Sequence, residues 1–365
     1  MSTPPDDTPP LRMAYVGCGF VAQHIHLPNI AALAGARLVA LAEKRPRLGR
    51  LVADNFAIPR LYGDHRALID DPEVEAVGVS ADYAIQGEIA ADLLAAGKHV
   101  FMEKPMAISL AQADRVIAAA RHGGARLMVG YMKRFDPANR LARAQIDAWQ
   151  ASGDMGRVMF ARNHGFCGDW TAGIDRRAII GTDEPLPPVS RDAMMPAWLP
   201  PENRNGYVAY IQQYTHNLNL LRFLLGGDHA DRVAVRAVDL DADGMTGLVT
   251  LQIGGVRAVV ESGRVAFHGW EEHTQVYFER GWVHAFSPLL FARPGQPRIE
   301  IYTGGDGPEY RYPVVQPITA WHYREEMVHF IDAVRSGAPF ISDGEDTRLD
   351  VWLYEEIYRR HIGLA

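Results

Sequence analysis

The chain of 365 residues is too long for one ordinary hydrophobic core and reads as two domains. Hydrophobic residues make up 48% and charged residues 22%, the balance of a water-soluble globular protein. A net charge of −7 lacks the basic excess of a phosphate-backbone binder, so nucleic acid is not an expected partner. Two cysteines, Cys18 and Cys167, exclude a disulfide framework and a cysteine-rich metal site. No segment reaches the roughly 18 apolar residues of a membrane span, and the Pro- and Asp-rich start does not read as a signal peptide. The expected location is therefore the cytoplasm, without membrane contact.

Residues 1–10 read as a flexible tail. From Leu11 onward short apolar runs alternate with stretches of helical spacing. Strands are expected at Met13–Val16, Leu38–Ala42, Ala76–Ser80, His99–Met102 and Arg126–Val129, with helices over Gln86–Ala96 and Leu110–Arg121. This alternation implies right-handed crossovers and an α/β class, with an N-terminal doubly wound parallel sheet of the Rossmann kind over residues 11–133.

After Phe135-Asp136-Pro137 the pattern changes. A helix near Asn139–Ala151 leads to a strand at Arg157–His164, then to a Pro-rich stretch over Thr171–Asn205. That stretch is too long for an ordinary connection. It reads either as a loop covering substrate or touching a subunit, or as a disordered excursion, and Trp170 and Trp198 favour order. A helix over Tyr207–Leu225 follows. Six strand-like runs (Arg232–Leu240, Gly247–Ile253, Val256–Gly263, Thr274–Glu279, Trp282–Phe286 and Arg298–Tyr302) then imply a mainly antiparallel sheet in an α+β domain over residues 134–342. Helices near Ile318–Ser336 and Asp343–Ile362 close the chain.

The sequence Val16-Gly17-Cys18-Gly19-Phe20-Val21-Ala22 follows an expected strand and opens a helix, and Glu43 ends the next strand. This is the context of a dinucleotide fingerprint. Gly17 permits the tight turn, Gly19 lets the backbone approach a pyrophosphate, and Ala22 keeps helix and strand close, with Phe20 and Val21 beside the phosphates. A carboxylate at Glu43 suits ribose hydroxyls and favours NAD; Lys44 and Arg45 are placed to take the 2′-phosphate of NADP instead.

The run His99-Val100-Phe101-Met102-Glu103-Lys104-Pro105 ends a strand on a carboxylate, an ammonium and a proline. Ligands gather beyond the carboxyl ends of parallel strands, so Lys104 is the leading catalytic candidate. The fingerprint, the Glu103-Lys104-Pro105 turn, Gly130-Tyr131, Arg134-Phe135, Phe330-Ile331-Asp332-Ala333-Val334 and Gly344-Glu345-Asp346 together resemble the glucose-fructose oxidoreductase and inositol dehydrogenase family (Gfo/Idh/MocA). The resemblance implies that Lys104 holds the reacting substrate oxygen and Glu103 contacts the nicotinamide ribose. It also implies that the last helix, residues 343–365, packs back on the nucleotide domain. The large open sheet would serve substrate binding and assembly into a homodimer or homotetramer.

By the same resemblance His216 is the proton acceptor, on a helix where the family usually carries an aspartate four residues earlier; here that residue is Gln212, and Asn219 also replaces a frequent aspartate. Where the family commonly has Thr-Pro and a later histidine, this chain has Ser80, Asp82 and Gln86, which are expected to line the coenzyme cleft. Lys133 and Arg134 read equally as ligand contacts and as a surface charge pair, with Arg134 placed among the coenzyme contacts. Tyr131, His164, Trp170, Gln212, Tyr214 and Asn219 are candidate substrate lining. Alternation puts His164 on one face with Arg162, opposite Asn163, with solvent exposure the simpler reading. The histidines lack any HExxH-like spacing, so no catalytic metal is expected.

The implied activity is NAD(P)-dependent hydride transfer to or from a secondary alcohol or ketone of a sugar, amino sugar or cyclitol. The alternatives are a lyase or glycosidase-like enzyme with transient oxidation, and a non-catalytic nucleotide-sensing regulator.

Overall fold

The computed structural model describes residues 9–171, 174–227, 232–266, 269–291, 297–313, 315 and 321–365. The expected tail falls outside these up to residue 8, as does the expected helix start at 318.

Two sheets organise the chain. The first is parallel, its strands β1 (Leu11–Val16), β2 (Ala36–Ala42), β3 (Arg60–Tyr62), β4 (Ala76–Val79), β5 (His99–Glu103) and β6 (Leu127–Gly130) lying in the order β3-β2-β1-β4-β5-β6. β4 and β6 are buried at every residue because helices cover both faces, which is why these runs read as continuous rather than alternating. The order reverses between β1 and β4, the switch point at which a crevice opens past the strand ends. Helices α1 (Leu27–Ala31), α2 (Pro46–Asn55), α3 (Arg66–Ile69), α4 (Tyr83–Ala95) and α5 (Leu110–Gly123) complete the crossovers. Asp82 and Ser109 cap α4 and α5 through their side chains.

α6 (Pro137–Ser152), capped by Asp136, leads to the second sheet. Its strands are β7 (Val158–Cys167), β8 (Val233–Leu240), β9 (Gly247–Ile253), β10 (Val256–Arg264), β11 (Trp270–Phe278), β12 (Gly281–Phe286), β13 (Arg298–Thr303) and β14 (Glu309–Arg311), in the order β14-β13-β12-β11-β7-β10-β9-β8. The sheet is antiparallel except where β10 runs parallel to β7. β11 begins four residues before the expected run at Thr274–Glu279, and β3 and β14, which were not expected, are three-residue edge strands too short to show a period.

The 22-residue helix α7 (Arg204–Leu225) packs on the inner face of this sheet against β7, β9 and β10. α8 (His322–Ser336) lies against the turn that follows β6, the helical turn Ala22–His26 and α1, and α9 (Gly344–His361) packs on α5, α7 and β6. The long Pro-rich stretch is ordered over its described residues and runs across the nucleotide side of the molecule. Ile180 exchanges two backbone hydrogen bonds with the Gln23 side chain at 2.9 and 3.0 Å. Glu184 caps α2, Arg191 pairs with Asp82 at 2.7 Å, and the Trp198 indole donates to Glu355 at 2.9 Å.

Candidate active site

Register aligns the strand ends: Val16 lies beside Val79, Val79 beside Met102, and Met102 beside Val129. The turns carrying Gly17, Ser80, Lys104 and Tyr131 therefore leave the first sheet at one edge. A cleft of about 390 Å³ opens between this edge and α7, lined among others by Gly19, Phe20, Val21, Ser80, Asp82, Gln86, Glu103, Lys104, Trp170, Gln212 and His216.

The glycine turn fits a dinucleotide. Gly17 has φ +84°, and a Cβ there would lie 2.4 Å from the Ser80 carbonyl oxygen, so glycine alone closes the turn. A Cβ on Gly19, by contrast, meets nothing within 4 Å. That open space beside the backbone is what a pyrophosphate needs, and Ala22, fully buried, starts the helical turn Ala22–His26 behind it.

Lys104, half-buried, donates from Nζ to the Gln212 carbonyl oxygen at 3.0 Å. Burial pulls its pKa down to about 8, Glu103 working against the shift and Lys133 with it. Glu103 is held from two sides: Oε1 bonds His26 Nε2 at 2.8 Å, and Oε2 accepts from the Lys104 amide at 3.1 Å. Behind it Glu326 of α8 is fully buried, and burial followed by the Glu103 charge pushes its pKa well up.

His216 projects from α7 and is 6% exposed, with the edge of Tyr131 against its ring. Burial, then Lys104, Lys133 and His322, hold its pKa well below 6.5. The imidazole is thus neutral at physiological pH. Its Nδ1 has no hydrogen-bond partner among the described residues. The Gln212 side chain bonds Tyr83 instead.

Several expected contacts have other partners. Arg134 does not line the cleft: it lies buried against Asn219 Oδ1 (2.6 Å), the Ile341 carbonyl (2.6 Å) and Asp346 (2.7 Å), tying the turn after β6 to α7 and α9. Tyr131 buries its hydroxyl between Thr215 (2.7 Å) and Tyr354 (2.9 Å), so it supports His216 from behind. Tyr214 donates to the Gly263 carbonyl at 2.8 Å, and Asn219 bonds Asp350; both are packing residues. Gln86 spends its amide on the carbonyls of Glu103 (2.5 Å) and Pro105 (3.0 Å), fixing the turn that carries Lys104. Glu43 is 5% exposed, its carboxylate taken by Cys18 N (2.9 Å) and by Arg45 at Nε (2.7 Å) and Nη2 (3.1 Å). Burial pushes that carboxyl up, yet these bonds outweigh it and hold its pKa below the ordinary value. Lys44 stands outside the cleft beside Asp64. His164 is on the opposite face of the second sheet, because Asn163 is the residue of that pair that turns inward to Asn217 and Thr274.

Of the two cations expected equally as ligand contacts or as a surface charge pair, Lys133 does line the cleft, where it is paired with Glu272 of β11. Glu272 precedes the strand start read from sequence, so its inward position was hidden. Gln213, Trp270, Phe291 and Tyr323 also line the cleft and carry no local signal.

Residues 11–131 match the family described as the oxidoreductase family with an NAD-binding Rossmann fold. Over those residues the chain carries the NAD-binding domain of the Gfo/Idh/MocA oxidoreductases. It is 24% identical over 350 residues to myo-inositol 2-dehydrogenase of Thermotoga maritima, covering 94% of each chain. It is 26% identical over 351 residues to inositol 2-dehydrogenase of Rhizobium meliloti, covering 92% of each. The crystal structure of aldose-aldose oxidoreductase from Caulobacter crescentus complexed with glycerol superimposes with a TM-score of 0.72 at 25% identity, over 97% of this chain and 98% of that one. The protein is thus an NAD-binding oxidoreductase. No helix among the described residues is long and apolar enough to cross a membrane.

Proposed function

We propose that the protein moves hydride between a nicotinamide coenzyme and a secondary alcohol or ketone carbon of a sugar, amino sugar or cyclitol. The observation that carries this reading is the meeting of Lys104, from the first sheet, with His216, from the helix backing the second, in one cleft beside the glycine turn. When bound, the coenzyme accepts the hydride or returns it.

The chain's own groups manage the oxygen and its proton. As an alcohol is oxidised, negative charge grows on its oxygen, and a fixed ammonium at Lys104 stabilises that charge. The neutral His216 ring accepts the hydroxyl proton, and returns one in the reverse direction. Gln212 acts through its main-chain carbonyl, which holds Nζ in place. Phe20, Trp170, Trp270 and Phe291 supply apolar ring faces and Gln213 an amide, a lining suited to a ring that is apolar on its faces and hydroxylated at its edge. A volume of about 390 Å³ suits one small ring beside the nicotinamide.

A screen of sugars, amino sugars and cyclitols for NADH formation tests the reading, with Lys104→Ala and His216→Ala as controls. A substrate oxidised equally well by both variants would sink the assigned roles. Turnover without net NADH formation would point to a lyase.

A further inference from the structure

Three metal-ligating side chains meet on the face of the second sheet turned away from the cleft. His273 of β11 stands directly opposite His164 of β7, and Glu271 lies two residues before His273 on the same face. Glu261 of β10 stands opposite His164 on the other side. Glu272, between the two β11 residues, faces the cleft and pairs with Lys133, so the cluster and the active site occupy opposite surfaces of one strand.

The rings of His164 and His273 are stacked, 5.0 Å between centres and 18° between planes. Glu271 reaches across both: Oε2 lies 3.8 Å from His164 Nε2, and Oε1 lies 3.9 Å from His273 Nε2. One donor atom from each of the three residues falls within 4.8 Å of the others. We propose that His164, His273 and Glu271 form a binding site for a divalent cation of the zinc class, separate from the coenzyme cleft.

The distances are close to what such an ion requires. Bonds of about 2.0–2.2 Å in a tetrahedron set neighbouring donor atoms about 3.3 Å apart. Closing the two gaps to Glu271 therefore takes roughly half an ångström each, within reach of a rotation of that side chain, which is 72% exposed. Two imidazoles and one carboxylate are a donor set that zinc accepts, with water in the fourth position.

Surrounding groups prepare the ligands. Glu261 Oε2 lies 2.6 Å from His164 Nδ1, which places the proton on Nδ1 and leaves the Nε2 lone pair turned toward Glu271. Arg162 pairs with Glu261 and compensates that carboxylate, so Glu271 is the charge left to meet the cation. His284 packs edge-on to His273 at 4.7 Å between ring centres and restrains its rotation. Both histidines stand on central strands of an eight-stranded sheet, a rigid frame for ligands, and the ion would pin β7 to β11 across the ladder.

The test uses untagged full-length protein, stripped with chelator and titrated with Zn²⁺ by calorimetry and with Co²⁺ by visible absorption. The expected result is one equivalent per chain with the intense bands of tetrahedral Co²⁺. Glu271→Gln, an exposed change that leaves the strand pairing intact, and His273→Gln should each weaken binding by tenfold or more, and Glu261→Gln by roughly tenfold through loss of the His164 orientation. NADH binding should be unchanged in all three. Absence of stoichiometric binding to the wild type, or Zn²⁺ affinity unchanged by Glu271→Gln and His273→Gln, would overturn the proposal.

Discussion

The ammonium of Lys104, on the turn that ends β5, rests 3.0 Å from the carbonyl oxygen of Gln212 on α7. This bond joins the two halves of the cleft through the main chain of Gln212. With a pKa of about 8, Lys104 is an ammonium below that pH and loses its charge above it. If the charged form stabilises the reacting oxygen, kcat/KM for alcohol oxidation falls as pH rises through about 8. Lys104→Ala should lower kcat/KM by about 10²–10³-fold, the cost of removing one stabilising donor. Gln212→Asp adds a negative charge near Nζ and should move the alkaline limb upward. A limb that stays at pH 8 in Gln212→Asp would show that another group sets it.

His216 carries the opposite expectation. Burial and the nearby cations keep it deprotonated well below pH 6.5, so no acid limb should appear as pH falls through that value. His216→Gln, which preserves size and removes the base, should cost about 10²–10⁴-fold in kcat with little change in NADH affinity. Fluorescence titration with NADH separates the two effects. A variant with full kcat would remove His216 from the mechanism.

These two residues were legible because each sits in a local signal: Lys104 at an abrupt end of an apolar run, His216 at a fixed place in a family pattern. The parallel sheet was legible for the same reason, since β1, β4, β5 and β6 are apolar runs separated by helical spacing. Partners distant in sequence were not. Arg134 reads as a free cation until Asn219 and Asp346 are brought to it. Glu43 reads as a ribose acceptor until Arg45 folds back on it. At His164, alternation grouped the residue correctly with Arg162 but left open which face of the sheet looks inward, a choice made by the packing of Asn217 on Asn163.

The Pro-rich stretch carries a consequence for coenzyme choice. Glu184 accepts hydrogen bonds from the amides of Arg47 (3.0 Å) and Leu48 (2.9 Å), filling the positive end of α2 just beyond Glu43. Arg45 is spent on Glu43, and Arg47 is paired with Asp183. The groups that would welcome a 2′-phosphate are thus already engaged by carboxylates, so NADH should bind more tightly than NADPH. Glu184→Ala frees the two amides and should improve NADPH affinity relative to NADH by roughly tenfold, the scale of a helix-terminus interaction. Paired fluorescence titrations measure the ratio; an unchanged ratio would mean that Glu184 only anchors the stretch.

The helix that presents His216 is itself anchored by a buried charge cluster. Two turns farther along α7, the fully buried Arg222 bonds Asp350 Oδ1 at 2.7 Å, the Gly227 carbonyl at 2.9 Å and the Asp346 carbonyl at 2.9 Å. Asp350 also accepts from Asn219 at 2.7 Å, so one carboxylate of α9 fixes two residues of α7. Burial of such charges is tolerable only while every partner is present, and Asp350→Ala leaves the guanidinium without its main counter-charge. Loss of about 3–5 kcal/mol is expected in urea denaturation. Replacing both ions with apolar residues, Arg222→Met with Asp350→Leu, removes the stranded charge and should recover most of that loss. If the single and double variants are equally destabilised, α7 is held by packing of its aromatic residues and the ion pair is incidental to its position.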